Sequence, residues 1–309
     1  MSILLATHFG PAELAQWRAL LQAALPDEIF LTQRSSSADI DIALVATPPA
    51  GALQGLSNLK LIQSLWAGVE TLLADATLPT HVPLARMVDP AMNAAMAETA
   101  LWAVLSLQRG FFDCAAQQIA RRWQPVRPVR ADEVCVAVLG LGQMGRAVAL
   151  RLLQAGYRVV GWSTREAAVP GVQCLHGEAA LPAVLAQAQV LINLLPLTAA
   201  TRSLLNARAF AQLPAGASVV NLARGAHLVD ADLLAVLDSG HLKRAVLDVF
   251  HTEPLPPAHP FWSHPQVTVL PHVAAPTDPR SAARVVAYNV RALRSGQPLQ
   301  HLVNRARGY

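Results

Sequence analysis

Three cysteines, Cys114, Cys135 and Cys174, are too few and too scattered for a disulfide framework, and no pair has metal-ligand spacing. Reduced thiols in a cytoplasmic protein are the expectation. No apolar run reaches the ~18 residues of a membrane span. The opening Met1-Ser-Ile-Leu-Leu-Ala has no basic segment and reads as a first buried strand, not a signal sequence. No Gly-x-Ser-x-Gly or other nucleophile motif occurs, so hydrolase readings have no support. Internal repeats, low-complexity segments and long disordered tails are also missing. Charged residues make up only 14% of the chain against 53% hydrophobic, a globular composition rather than a disordered one.

At 309 residues the chain is long enough for two domains with their own cores. The net charge of +4 suits an anionic ligand without arguing for nucleic acid. The densest basic stretch, Arg121, Arg122, Arg127 and Arg130 around Trp123, carries no nucleic-acid-binding motif. It reads as a solvated connector broken by Pro125 and Pro128.

Short apolar strands alternate with amphipathic helices, the pattern of parallel sheets covered on both faces. Strands are expected at 3–6, 42–46, 61–64 and 84–88, with a helix at 12–24. One long helix is expected over 91–119. A second alternating set follows, with strands at 134–139, 157–161, 190–194, 218–221, 245–248 and 267–270. Helices are expected between them at 143–154, 179–186, 207–212 and 231–239, and a last one at 279–295.

The strongest signal lies mid-chain, in Val134-Cys-Val-Ala-Val-Leu-Gly-Leu-Gly-Gln-Met-Gly145. A β-branched run ends in Gly-x-Gly-x-x-Gly and a helical pattern begins at once, which is the dinucleotide-binding fingerprint in its structural context. Gly140 permits the turn, Gly142 lets the backbone approach a pyrophosphate, and Gly145 lets helix and strand pack. Gln143 and Met144 open a helix whose free N–H groups and dipole favour phosphate. A fingerprint in mid-chain implies that an N-terminal α/β domain is interrupted by the nucleotide domain, giving 1–98 with 277–309 and 99–276.

The next strand ends in Trp162-Ser-Thr-Arg165, where a carboxylate would select NAD. Ser163, Thr164 and Arg165 can instead hydrogen-bond and neutralise a 2′-phosphate, so NADPH is favoured. The alternative is a plain polar turn, with Glu166 supplying the acid one position late and NADH as cofactor. His251, His259 and His264 lie close in sequence, but the prolines among them give no helical ligand geometry, and no metal is expected.

Three further segments follow strand ends: Asn221-Leu-Ala-Arg-Gly225, Leu247-Asp-Val-Phe-His-Thr-Glu-Pro254 and Leu270-Pro-His-Val-Ala274. Together with the fingerprint, and in this order, they resemble the D-isomer-specific 2-hydroxyacid dehydrogenases. The resemblance spans 61–309 and is most specific over 134–277. Ser64-Leu-Trp-Ala-Gly-Val-Glu70, Trp162-Ser-Thr-Arg165 and Pro271-His-Val-Ala-Ala-Pro-Thr277 look most like the glyoxylate/hydroxypyruvate reductase A branch.

The resemblance implies an α/β fold of two Rossmann-like domains with parallel sheets, the nucleotide-binding domain inserted into the substrate domain. It implies NADPH-dependent reduction of small 2-oxo acids, glyoxylate or hydroxypyruvate, to D-2-hydroxy acids. Arg224 would hold the substrate carboxylate and polarise the 2-oxo group. His272 would be the general acid, and Glu253 would stabilise its charged form. The backbone of Ala67, Gly68 and Val69 matches the substrate-carboxylate loop, and Trp66 beside it reads either as a rim aromatic over the substrate or as a core residue. Leu195 and Pro196 match the loop beside the adenine ribose and pyrophosphate, Asp248 matches the acid on the nicotinamide carboxamide, and Ala223 and Ala274 fall among the cofactor contacts. Met96 departs from the family, which often has a β-branched residue there. Arg109 reads as solvated or interfacial.

The resemblance also implies a homodimer, for which the helix from Ala91 and the Trp123 segment could supply contacts. Two other readings stay open: an NADH-linked dehydrogenase of longer 2-hydroxy acids, and a nucleotide-dependent corepressor or interaction module on the same fold.

Overall fold

Strand and helix alternate through the computed structural model, which describes residues 1–34, 39–127 and 129–309. Pro128, expected as a break, lies outside them. The chain divides into two units, 1–92 with 277–309 and 93–276. The first division falls six residues ahead of the expected 98/99.

The first unit begins with β1 (Ser2–Thr7), α1 (Pro11–Ala24), β2 (Phe30–Leu31), β3 (Ile40–Ala46), β4 (Leu61–Ser64), α2 (Glu70–Ala74) and β5 (Leu84–Ala85). Its sheet is parallel, in the order β2-β1-β3-β4-β5. Every residue of β3 is buried, as a parallel strand covered on both faces requires. The strand expected to reach 88 stops at Ala85. Beyond it Arg86 N–H donates to His301 O (3.0 Å) and Met87 N–H to Trp66 O (3.0 Å), so the backbone leaves the ladder.

Next come α3 (Pro90–Arg109) and α4 (Phe111–Ile119), where a single helix was expected. Gly110 ends the first with φ +68°, and a Cβ there would stand 2.6 Å from Val126 Cγ1. Left-handed backbone and the close side chain together select glycine and break the helix. No residue of α4 is buried. Arg121, Arg122, Trp123 and Arg127 beyond it are exposed.

The second unit continues with β6 (Cys135–Leu139), α5 (Gln143–Gln154), β7 (Arg158–Ser163), β8 (Gln173–His176), α6 (Leu181–Leu185), β9 (Val190–Asn193), α7 (Ala207–Phe210), β10 (Ala217–Asn221), α8 (Asp230–Asp238), β11 (Leu242–Leu247) and β12 (Val267–Val269). β8 was not expected: none of its residues is fully buried, so it carries no apolar pattern. The helix expected from 179 begins as a 3-10 turn, with α6 starting at Leu181 ahead of Pro182.

These strands form one parallel sheet, β12-β11-β10-β9-β6-β7-β8. Alternate side chains go to opposite faces. Ala137, Leu139, Leu191, Val219 and Ala245 build one core, and Val136, Val138, Ile192, Val220 and Val246 the other. Ile192 is fully buried, and truncating it to alanine is expected to cost about 2–5 kcal/mol. Chain order reverses between β6 and β9, and ligands of open α/β sheets bind outside the carboxyl ends of strands at such a reversal.

The last helix, α9 (Pro279–Arg294), belongs to the first unit and packs on α1. Arg294 joins Glu28 (2.7 Å) and Asp41 (3.1 Å) in that unit.

Candidate active site

The glycine turn sits at the reversal between β6 and β9. Gly140 has φ +96°, and a Cβ on it would meet Leu194 O at 2.6 Å; on Gly145 it would meet Gly140 O at 1.7 Å. Both glycines are forced by the chain's own backbone. Gly142 is different: it caps α5 with φ −70°, and a Cβ there would touch nothing within 4 Å. Its missing side chain leaves room in front of a helix whose first turn, through exposed Gln143 and half-buried Met144, carries no acidic residue. Free N–H groups at that end suit a pyrophosphate, so the residues present fit a dinucleotide.

Trp162, at the end of β7, is 2% exposed and sends its indole N–H to Gly177 O (2.9 Å). The structure thus spends its side chain on the core, and its carbonyl supports the turn by accepting from Gly140 N–H (2.7 Å). Ser163 is half-buried, and Thr164 and Arg165 are exposed. Ser163 Oγ donates to Arg165 O. Arg146, absent from the sequence reading, braces this turn by donating to Leu141 O (3.2 Å) and Ala168 O (2.8 Å).

β9 and β10 end in a side-chain lock. Asn193 Nδ2 donates to Asn221 Oδ1 (3.0 Å), and Asn193 Oδ1 accepts from Leu195 N–H (3.2 Å). Asn221 Oδ1 also accepts from Ala223 N–H (3.3 Å), and its Nδ2 donates to Arg224 O (3.0 Å). His227, fully buried, places Nδ1 3.2 Å from Arg224 O and Nε2 3.2 Å from Pro196 O. The loop holding Leu195 and Pro196 is thereby tied to the backbone of Arg224, whose Nη1 donates to Ala223 O (2.6 Å). Sequence reading named Asn221 only as part of a motif and missed Asn193 and His227. Asparagine at the ends of two strands was the one hint, and it needed the strand order to be read.

Beyond β11 the chain carries Asp248 and Glu253. Glu253 Oε1 accepts from Phe250 N–H (2.9 Å), which aims Oε2 at His272 Nδ1, 2.7 Å away. With Nδ1–H donating to the carboxylate, Nε2 is the ring nitrogen left to face a reacting group. The His272 side chain is half exposed. Asp248 is buried, and burial pushes its carboxyl above the usual range, against hydrogen bonds from Val273 and Ala274 N–H. Ala223 and Ala274 are buried beside these turns.

Trp66, in the first unit, is half-buried, with Nε1 3.3 Å from Thr47 Oγ1 and its ring edge-on to Phe9. Ala67 and Gly68 follow, and buried Val69 caps α2. Met96 is buried in the core of the second unit, and Arg109 lies over the Phe111 ring. His251 and His259 both face Asp230 (3.5 and 3.3 Å), while His264 faces Asp238 (3.2 Å). Among the described residues no group of three such side chains could hold a metal ion.

A glycine turn at a helix N-terminus and a histidine paired with a carboxylate, both on the carboxyl edge of one parallel sheet, fit a nicotinamide-dependent oxidoreductase. Residues 101–274 match the NAD-binding domain of the D-isomer-specific 2-hydroxyacid dehydrogenases. Glyoxylate/hydroxypyruvate reductase A of Yersinia enterocolitica is 41% identical over 303 residues, covering 96% of this chain and 97% of that protein. The chain belongs to the D-isomer-specific 2-hydroxyacid dehydrogenase family.

Solved structures agree with this placement. A family member from Xanthobacter autotrophicus, crystallised with NADPH and MES, is 40% identical with a TM-score of 0.95, covering 100% of this chain and 99% of that one. The NADPH-dependent glyoxylate/hydroxypyruvate reductase of Sinorhizobium meliloti, crystallised with NADP and sulfate, is 34% identical with a TM-score of 0.93, covering 100% of both chains.

Proposed function

We propose that this protein reduces glyoxylate, hydroxypyruvate and similar small 2-oxo acids to D-2-hydroxy acids with NADPH. The observation that carries the reading is the 2.7 Å contact between His272 Nδ1 and Glu253 Oε2 in the unit that holds the glycine turn. NADPH, when bound, supplies the hydride that reduces C2. His272 Nε2 gives its proton to the 2-oxo oxygen, and Glu253 stabilises the charged ring before that transfer. Arg224 grips the substrate carboxylate and draws charge from the carbonyl.

The backbone of Ala67, Gly68 and Val69, with Trp66 beside it, is assigned to the substrate carboxylate by the family resemblance. The same warrant assigns Gly140, Gly142, Gln143, Met144 and Gly145 to the pyrophosphate, and Leu195, Pro196, Ala223, Asp248 and Ala274 to the rest of the dinucleotide. In this reading residues 93–276 carry the cofactor and the other unit the substrate loop. Ser163, Thr164 and Arg165 take the 2′-phosphate.

We further assign the protein to the cytoplasm as a homodimer. No helix among the described residues is long and apolar enough to cross a membrane. Trp102, Leu105, Phe111, Ile119 and Trp123 expose apolar surface on α3, α4 and the segment beyond, which supports association through them. Light scattering on the eluted protein gives the mass.

The decisive experiment follows NADPH oxidation with glyoxylate and with hydroxypyruvate, repeated with NADH. Fast oxidation with NADPH alone supports the whole reading. Fast oxidation with NADH keeps the enzyme and overturns the cofactor preference. Cofactor binding without turnover on any 2-oxo acid overturns the reading in favour of a nucleotide-dependent interaction module.

A further inference from the structure

Three successive amides end on one residue. The main-chain carbonyl of Asp248 accepts from His272 N–H (2.9 Å), its Oδ1 from Val273 N–H (2.8 Å) and its Oδ2 from Ala274 N–H (3.1 Å). Asp248 is itself anchored, its N–H donating to Asn221 O (3.0 Å) at the end of β10. From the other side, Thr99 Oγ1 on α3 donates to Ala274 O (2.9 Å).

His272 has φ +53°, a left-handed backbone that histidine rarely adopts and keeps only where its surroundings impose it. Successive N–H groups around a left-handed residue form a concave nest for an anion. Here the anion is a carboxylate of the chain's own, buried at the base of the loop that presents the histidine.

We propose that Asp248 is a positioning residue that clamps residues 272–274 and so holds His272 in the conformation that pairs Nδ1 with Glu253. The proposal rests on the assignment of His272 as proton donor. It adds to the carboxamide contact that the family resemblance gives Asp248. A carboxamide contact acts on cofactor affinity, whereas a clamp acts on turnover through the ring of His272.

The test compares Asp248→Asn with Thr99→Val, which loosens the same loop from the α3 side. Readouts are kcat and KM with glyoxylate and NADPH, the NADPH dissociation constant without substrate, and amide exchange over residues 270–276. Asp248→Asn keeps the shape but turns one acceptor into a donor facing an N–H. It is expected to lower kcat on the order of ten- to hundredfold, as losing a hydrogen bond to a charged group does. The NADPH dissociation constant rises through the lost carboxamide contact, and exchange at Val273 and Ala274 quickens in the cofactor-free protein, which that contact alone would not cause. Thr99→Val, which leaves the Asp248 carboxylate in place, is expected to lower kcat and quicken the same exchange by a few-fold, with the NADPH dissociation constant within about twofold.

The proposal is overturned if Asp248→Asn weakens NADPH binding as much as it lowers kcat while exchange at 273–274 is unchanged. It is also overturned if Thr99→Val quickens exchange and leaves kcat untouched. Full turnover by His272→Gln would instead remove the underlying assignment, whatever the exchange at 273–274 shows.

Discussion

The Cβ that Gly225 lacks would stand 2.0 Å from the carbonyl carbon of Phe250, 2.3 Å from its oxygen and 2.4 Å from His251 N. The turn carrying Arg224 therefore lies directly against the segment carrying Glu253. Gly225→Ala is expected to push 250–253 away, destabilise the fold by about 2 kcal/mol as overpacking does, and lower kcat by more than the stability loss explains. Thermal melts read alongside kcat check this. An alanine variant with wild-type kcat would show the two segments to be independent.

The fingerprint glycines are expected to separate by assay. Gly142→Ala meets no atom within 4 Å. It is expected to lose only about 1 kcal/mol of stability, the cost of an alanine at a helix N-cap, while NADPH affinity falls. Gly145→Ala collides with Gly140 O and is expected to lose about 3 kcal/mol of stability. Unchanged cofactor affinity in Gly142→Ala would move the pyrophosphate elsewhere.

Arg224→Ala is expected to raise KM for glyoxylate and lower kcat together, because in the proposed reading one guanidinium serves both carboxylate and carbonyl. His272→Ala is expected to lower kcat about 10²–10⁴-fold, the span of a lost general acid, with little change in NADPH affinity. Wild-type kcat in His272→Ala would refute the mechanism.

Cofactor choice is tested at the end of β7. Arg165→Ala is expected to weaken NADPH binding on the order of tenfold or more, the range of a charged hydrogen bond, and to leave NADH binding unchanged. An equal effect on both cofactors would place Arg165 away from the 2′-phosphate.

Outside the site, hydrogen bonding from the Arg280 side chain holds the Asp278 carboxyl at about 2 instead of 3.8. A depressed folded value means stabilisation that is complete above the unfolded value and disappears as pH falls through about 2. A carboxyl NMR titration gives the midpoint, and Arg280→Ala is expected to move it back toward 3.8.

Much of this was legible because sequence order and spatial order coincide at strand ends. The segments at 140–145, 221–225, 247–254 and 270–274 all follow parallel strands, so they fall on one edge of a sheet. The lock of Asn193, Asn221 and His227 was not legible, because which strand ends lie side by side depends on strand order. The pleat turns the indole of Trp162 into the core, which its position at a strand end beside Ser163 does not reveal. The break at Gly110 was hidden because apolar spacing continues across it, and only the proximity of Val126 reveals it.

The Asn193–Asn221 amide pair ties two strand termini together through groups the chain itself supplies. A site whose floor is set during folding has little left to organise when its ligand arrives. Calorimetry of NADPH association is accordingly expected to return a heat-capacity change sized to the surface covered, with no added increment from loops that fold on binding. Replacing either buried asparagine is expected to introduce that increment along with the stability loss of an unpaired buried amide.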